Sequence, residues 1–335
     1  MSPRITMYRR FLLAKIFRYV ATFFIVLFIC FMIPRLMPGD LIENILGLDY
    51  YSLPQEEIDR MYREFGLDRS LPEQFFDYVK SIFTINLGYS ASMGLPVTRV
   101  ISEALLRTMA LMLPGVLIGS ILALIVGVKS GMYDNKVTKS MMSVAVIVHS
   151  TPVFIVGMFA ILIFSYHLGV LPFGHLTSIG TDFSFENLPD IIYHLILPVG
   201  VLSVFVFTSY FILMMNATRQ ISNEFFITVN RAHGLGEQAL VDKHVSRNVM
   251  PQFISMFAIS IGGIISGSMV IETLFSINGM GVQLYKAVMS SDYLLMQGIF
   301  LVMILFTLIC NFIAELLYAY LDPRIADSGE MNHER

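Results

Sequence analysis

The chain has 335 residues, of which 56% are hydrophobic and 14% charged, and its mean hydropathy is +0.70. Soluble domains carry about 25% charged residues, so this chain has too little charge to cover a water-facing surface, and a soluble fold is excluded. A net charge of −3 leaves no basic footprint, which argues against nucleic acid as a partner.

A membrane-spanning helix takes about 20 mostly apolar residues. The sequence predicts an all-α integral membrane protein with six such spans. The first span runs from Tyr19 to Met37, behind a basic start, within residues 1–37. It ends in Pro34-Arg35-Leu36-Met37-Pro38-Gly39-Asp40 with no small-x-small cleavage site, so it reads as an uncleaved anchor. Residues 38–107 form a helical interval outside the hydrocarbon. Ser52-Leu53-Pro54-Gln55 there reads as a capping box with an early proline, followed by Ile58, Met61, Tyr62 and Phe65 at helical spacing up to Gly66. Ser70-Leu71-Pro72-Glu73 is a second box, followed by Phe75, Phe76, Val79 and Ile82 or Phe83. Two short amphipathic helices are expected, packed on each other or on the membrane face as a structural cap. The competing reading is a docking surface for an external partner.

Residues 108–321 hold the other five spans. The second is Thr108 to Val128. The third, Ser140 to His167, is interrupted at Thr151-Pro152, where a kink or a break into two halves is expected. The fourth is Leu195 to Ala217, the fifth Phe253 to Phe275 and the sixth Gln297 to Leu321, followed by a tail of residues 322–335. Cys30 and Cys310 both lie inside apolar runs and read as small core residues.

Orientation follows from the basic residues of the short loops. Arg4, Arg9, Arg10, Lys15 and Arg18 precede the first span. Lys129, Lys136 and Lys139 follow the second, Arg219, Arg231, Lys243 and Arg247 follow the fourth, and Arg324 and Arg335 lie in the tail. The loop from Gly169 to His194 has no Lys or Arg, and that from Ser276 to Met296 has only Lys286. Both termini are therefore expected on the cytoplasmic side of the cell membrane, with residues 38–107 outside.

No phosphate loop, His-Glu-x-x-His, Cys-x-x-Cys or Gly-x-Ser-x-Gly occurs in the sequence; Gly127-Val128-Lys129-Ser130-Gly131 has the wrong spacing for the last. No catalytic residue and no metal are therefore expected of the chain. Charge within hydrocarbon is costly, so each ionisable group there is a functional candidate. Glu315 has Asn311 one turn before it, Glu272 lies near the outer end of the fifth span, His149 precedes the Thr151-Pro152 break, and His194 opens the fourth span. A helix bond is the competing reading for Glu315. Contact with interfacial water competes for Glu272 and His194, and packing for His149. Gly262, Gly263 and Gly267, with Ser260, Ser266 and Ser268, give the fifth span a small-residue face. The spacing of Gly263 and Gly267 suits close helix packing, here or on a partner subunit, although such a face can also line a pore.

Residues 218–250 form a sizeable loop between spans four and five, on the expected cytoplasmic side. Asn223 is the expected N-cap, with Glu224 in the first turn, then Phe225, Phe226, Ile227 and Val229, and then Arg231-Ala232-His233-Gly234-Leu235-Gly236. A short helix with a glycine-ended tip suits insertion into a groove of another protein. A re-entrant loop packed on its own bundle explains the pattern equally well.

Taken in order, several blocks of the chain resemble the B-type permease of the dipeptide/oligopeptide/nickel group of type I ABC importers. They are Met37-Pro38-Gly39-Asp40, Leu67-Asp68-Arg69-Ser70-Leu71-Pro72, and Asn86-Leu87-Gly88-Tyr89-Ser90 with Pro96-Val97. Thr151-Pro152-Val153-Phe154, Leu168-Gly169-Val170-Leu171-Pro172 and His194-Leu195-Ile196-Leu197-Pro198 follow. Glu272-Thr273-Leu274-Phe275-Ser276, Gly279-Met280-Gly281, Asp292-Tyr293, Gln297-Gly298 and Leu321-Asp322-Pro323-Arg324-Ile325 complete the series. The family's coupling motif aligns its glycine with Gly234, but its leading positions fall on Thr228, Val229 and Asn230, so its glutamate is missing. Arg231-Ala232-His233-Gly234-Leu235 resembles the Arg-Ala-Lys-Gly-Leu core of peptide permeases, with His233 in the place of its lysine. Arg247-Asn248-Val249-Met250-Pro251 has its proline one residue early, and Ile277-Asn278 stands where relatives carry Trp-Pro.

The resemblance implies a permease paired with a second homologous permease and driven by two ABC ATPase subunits, which bind the ATP and Mg. An external substrate-binding protein would deliver di- or oligopeptides, and Phe225, Phe226, Arg231, Ala232, His233, Gly234 and Leu235 would couple to the ATPases. Thr151, Pro152, Gly263, Gly267, Glu272, Asn311 and Glu315 would line the pathway or pack helices. Nickel or another small solute is the alternative cargo. An ion-coupled secondary transporter is the alternative class, but it would favour inverted repeats and an intramembrane charge pair, and neither is seen.

Overall fold

A computed structural model describes residues 3–36, 42–43, 50–64, 66–133 and 135–321. Met37-Pro38-Gly39-Asp40, Phe65, and the tail from Asp322 with its Arg324 and Arg335 lie outside the described residues. The described residues are helical, with no strand among them; Tyr89 and Pro96 form one isolated bridge.

Four helices are long and apolar enough to cross a membrane, or five if one bent pair counts as a single crossing. The four are α1 (Pro3–Leu36), α4 (Val97–Gly131), α7 (Leu188–Ser222) and α14 (Tyr293–Leu321). The bent pair is α5 (Lys136–Ser150) and α6 (Val153–Ala160), the latter continuing as a π-helical turn to His167; its halves meet at 101°. The bend falls at Thr151-Pro152 as the sequence predicts. Pro152 cannot donate to the helical ladder, and the Thr151 hydroxyl instead donates to the Ile147 carbonyl at 2.9 Å. The fifth expected span is not one continuous helix. It consists of α10 (Ser246–Gly262), α11 (Ile264–Gly267) and α12 (Met269–Leu274). Its breaks fall at Gly263, a poor helix former, and at Ser268, whose hydroxyl donates back to the Ile265 carbonyl at 3.1 Å.

The chain divides into two compact units, with boundaries inside α4 and α14. One comprises residues 1–106 and 278–308, the second stretch carrying α13 (Met280–Met289). Here α2 (Gln55–Glu64) starts two residues later than a Ser52 cap would set it, because the Pro54 carbonyl takes the Glu57 and Ile58 amides. Helix α3 (Leu71–Phe83) begins as predicted: the Glu73 carboxylate accepts from the Ser70 hydroxyl at 2.8 Å and its amide at 3.0 Å. Its aromatic face packs on α1, with Phe75 edge-on to Phe28 and Phe31, and Tyr78 tilted against Phe31. Phe76 and Phe83 point away and are exposed. The Arg35 guanidinium lies 3.6 Å over the Phe31 ring and donates twice to the Gln74 side-chain oxygen, which locks α3 to the end of α1.

The other unit comprises residues 107–277 and 309–335. Its central seam is α4 against α7. Gly115, Gly119, Ala123, Gly127 and Gly131 recur every fourth residue and so share one face. A Cβ at Gly119 would stand 2.6 Å from the Ser203 carbonyl oxygen, one at Gly127 2.8 Å from Met214, and one at Gly131 2.5 Å from Thr218. The backbones therefore meet with no room for side chains. Below the seam Phe211, Met214 and Met215 join Val241, Val245 and Val249 in one buried cluster.

Candidate functional site

Helix α8 (Phe225–Ala232) follows α7 after only two residues. Asn223, the expected N-cap, instead closes α7, because that helix continues through Ser222. Glu224 caps α8 through its carbonyl, which accepts from the Ile227 and Thr228 amides. The helix ends in a Schellman arrangement: the Gly234 amide donates to the Arg231 carbonyl at 3.0 Å and the Leu235 amide to the Asn230 carbonyl at 3.3 Å. Gly234 takes a φ of +85°, which glycine adopts at little cost, and a Cβ there would meet nothing within 4 Å.

One side of α8 is anchored and the other is free. Ile227 is fully buried in the cluster of Val241, Val245 and Val249, while Phe225 is 81% exposed and Phe226 38% exposed. Arg231 pairs with Glu237 through both carboxylate oxygens, at 2.7 and 3.3 Å. This contact stiffens the turn from α8 into α9 (Glu237–Leu240). His233 and Gly234 are exposed at this turn, and Phe225 and Phe226 are exposed at the opposite end of α8. The result is an anchored knob with an exposed aromatic residue at one end and bare glycine backbone at the other. Among the described residues no group of three or more His, Cys, Asp or Glu could hold a metal ion.

The pathway candidates stand in different local settings. Glu272 does not meet interfacial water: it is 0% exposed and accepts from the Thr108 hydroxyl at 2.5 Å. Its neighbour Phe275 is also buried, with its carbonyl against Gly174 and accepting from the His175 amide at 2.7 Å. His194 is likewise buried, with Nδ1 3.0 Å from the Asp190 carbonyl oxygen. His149 is exposed, lies 3.0 Å from the Ser209 hydroxyl and tilts against Phe205. Among the described residues, Gly263 and Gly267 make no close helix approach: the nearest atoms to a Cβ at Gly263 are carbonyls of its own helix, and Gly267 is open. Asn311 and Glu315 are both half-buried on α14, one turn apart.

Sequence reading gave no role to Asp292. It is 2% exposed and caps α14, with one oxygen on the Leu295 amide at 3.1 Å. The other oxygen accepts from the Ser90 hydroxyl and from the Ser92 amide and hydroxyl, at 2.5, 3.0 and 2.8 Å. Ser291-Asp292-Tyr293 before an apolar run is a legible helix start; its tie to Ser90 has no local signal.

Two family profiles match. "Binding-protein-dependent transport system inner membrane component" covers residues 115–327, and its N-terminal membrane-component companion covers residues 7–111. A Brucella ovis protein provisionally named a peptide permease is 31% identical over 297 residues, covering 88% of this chain and 92% of that one. A di/tripeptide transport system permease of Pseudomonas aeruginosa is 29% identical over 326 residues, covering 91% and 95%. A glutathione transport system permease of Shigella flexneri is 28% identical over 320 residues, covering 94% and 98%.

Proposed function

The chain belongs to the family of binding-protein-dependent transport system inner membrane components, and from that premise we propose that it forms, with a second permease, the pathway of an ATP-driven peptide importer. The names of three relatives support a peptide cargo. The chain crosses the membrane six times. The α5–α6 pair makes one crossing and the interrupted stretch α10–α12 another, and both termini face the cytoplasm, in keeping with the basic loops. An external binding protein delivers the cargo. Two partner ATPases bind ATP and Mg and supply the energy.

The observation that carries this reading is the anchored knob at α8. Ile227 fixes the helix to the transmembrane body while Phe225 and the open Gly234 face outward. A displacement imposed on that surface by closing ATPases is passed to α7 and α10 through packed side chains rather than absorbed by a loop. Phe225, Phe226, Arg231, Ala232, His233, Gly234 and Leu235 are therefore the coupling residues.

The test is uptake of a labelled dipeptide in cells with and without the chain, with unlabelled longer peptides and nickel as competitors. Uptake is lost on deletion and restored by the wild-type chain but not by Gly234→Glu. Unchanged peptide uptake in a strain without other peptide systems overturns the peptide assignment.

A further inference from the structure

Between α5 and α7 runs an apolar groove of about 630 Å³. Val144 and Val148 line one wall, Val204 and Phe207 the other, and Ala145 and Phe211 form the floor. Thr208 also borders it, but its hydroxyl donates to the Phe205 carbonyl at 2.8 Å and asks nothing of an occupant. Among the described residues that line it, one is a cation: Lys136, the first residue of α5, where the positive end of the helix dipole lies as well.

We propose that this groove holds one acyl chain of an anionic phospholipid, whose phosphate pairs with Lys136. An apolar channel on a membrane-spanning surface asks for hydrocarbon, and a lone cation at its end asks for an anionic head. The lengths agree. At about 1.5 Å per residue the run from Lys136 to Val148 extends about 18 Å, against about 15 Å for half the hydrocarbon core. The bend at Thr151-Pro152 then falls near the depth where such a chain ends. A headgroup with net negative charge is favoured over a zwitterionic one because Lys136 and the helix end act in the same sense. The leaflet follows from the proposed orientation and is the cytoplasmic one. Binding itself is independent of the cargo, so failure here and failure of the peptide assignment are separate results.

The test is native mass spectrometry of the full chain, purified with its associated subunits in mild detergent and titrated with phosphatidylglycerol or phosphatidylethanolamine. The expected result is one phosphatidylglycerol retained per copy of the chain, preferred about fivefold, the ratio one lysine near an anionic surface supplies. Lys136→Glu removes the preference. Val204→Trp, at an exposed wall position, fills the groove and lowers retention of both lipids. Far-UV circular dichroism reads whether either variant remains folded. Equal retention by wild type and a folded Lys136→Glu, unchanged retention by folded Val204→Trp, or no retained lipid in the wild type overturns the proposal.

Discussion

The Ser90 hydroxyl and the Asp292 carboxylate, 202 positions apart in sequence, are hydrogen-bonded at 2.5 Å in a buried setting. The same carboxylate takes both donors of Ser92 and one amide of α14. It thus joins the turn at residues 88–97 to the start of the last long helix. The fit is close nearby: a Cβ at Gly298 would stand 2.7 Å from Val97 and one at Gly88 3.0 Å from Leu294.

Asp292→Ala leaves four donors without their acceptor and removes the cap of α14. Hydrogen bonds to a charged group contribute about 1.5–3 kcal/mol each to stability. The expected result is a marked drop in melting temperature of the purified protein, read by circular dichroism. Asp292→Asn keeps one acceptor oxygen and falls between Ala and wild type. Ser90→Ala alone costs less than Asp292→Ala, since the two Ser92 donors remain. An unshifted melt for Asp292→Ala contradicts the assigned tie.

At the α4–α7 seam, Gly119→Val drives a branched side chain into the Ser203 carbonyl and the Val206 side chain. Overpacking of a filled interior costs about 1–3 kcal/mol. Gly200→Ala is the control, because its Cβ would meet nothing within 4 Å. The yield of folded protein after detergent extraction falls for Gly119→Val and is unchanged for Gly200→Ala. Equal yields would show that the helices can part without cost.

The capping contact of α3 has a pH signature. Bonds from the Ser70 hydroxyl and amide hold the Glu73 carboxyl below its ordinary pKa. A carboxylate whose folded pKa is depressed contributes stability that is present above its unfolded pKa and is lost as pH falls through the folded one. Hydrogen exchange at the amides of Leu71–Phe83, corrected for intrinsic rates, therefore accelerates only on the acid side. Ser70→Ala moves that acceleration to higher pH. A profile identical in the variant removes Ser70 as the cause.

What the sequence made legible follows physical range. The Thr151-Pro152 break and the Ser70–Glu73 cap are local events, set by residues within a turn of each other, and both appear as expected. The seam at Gly115, Gly119, Gly127 and Gly131 has the same spacing as Gly263 and Gly267, yet among the described residues a Cβ at Gly263 meets only carbonyls of its own helix and one at Gly267 meets nothing within 4 Å. Spacing states that a close approach is allowed, and only the partner helix decides that it happens. The burial of Glu272 was not legible for the same reason, because it depends on Thr108, which is remote in sequence. The Asn223 cap failed by one residue, since nothing local forces α7 to stop before Ser222.

The coupling assignment makes its sharpest prediction at the two ends of α8. Phe225 is 81% exposed, so Phe225→Ala removes little from the folded core and leaves the chain's extraction yield unchanged. If the knob transmits force, that variant still assembles with its ATPases, but the binding protein no longer stimulates hydrolysis fully. Gly234 needs more care, because its φ of +85° strains any side chain regardless of function. Asparagine tolerates that region best among larger residues, so Gly234→Asn separates backbone strain from surface contact. With the space beyond Gly234 open in the isolated chain, a side chain there obstructs only a partner. Gly234→Asn is therefore expected to keep the melting temperature near wild type while reducing stimulated ATP hydrolysis, and Gly234→Glu to abolish it. Full stimulation in Gly234→Glu, with the protein inserted and assembled, would move the coupling surface elsewhere on the chain.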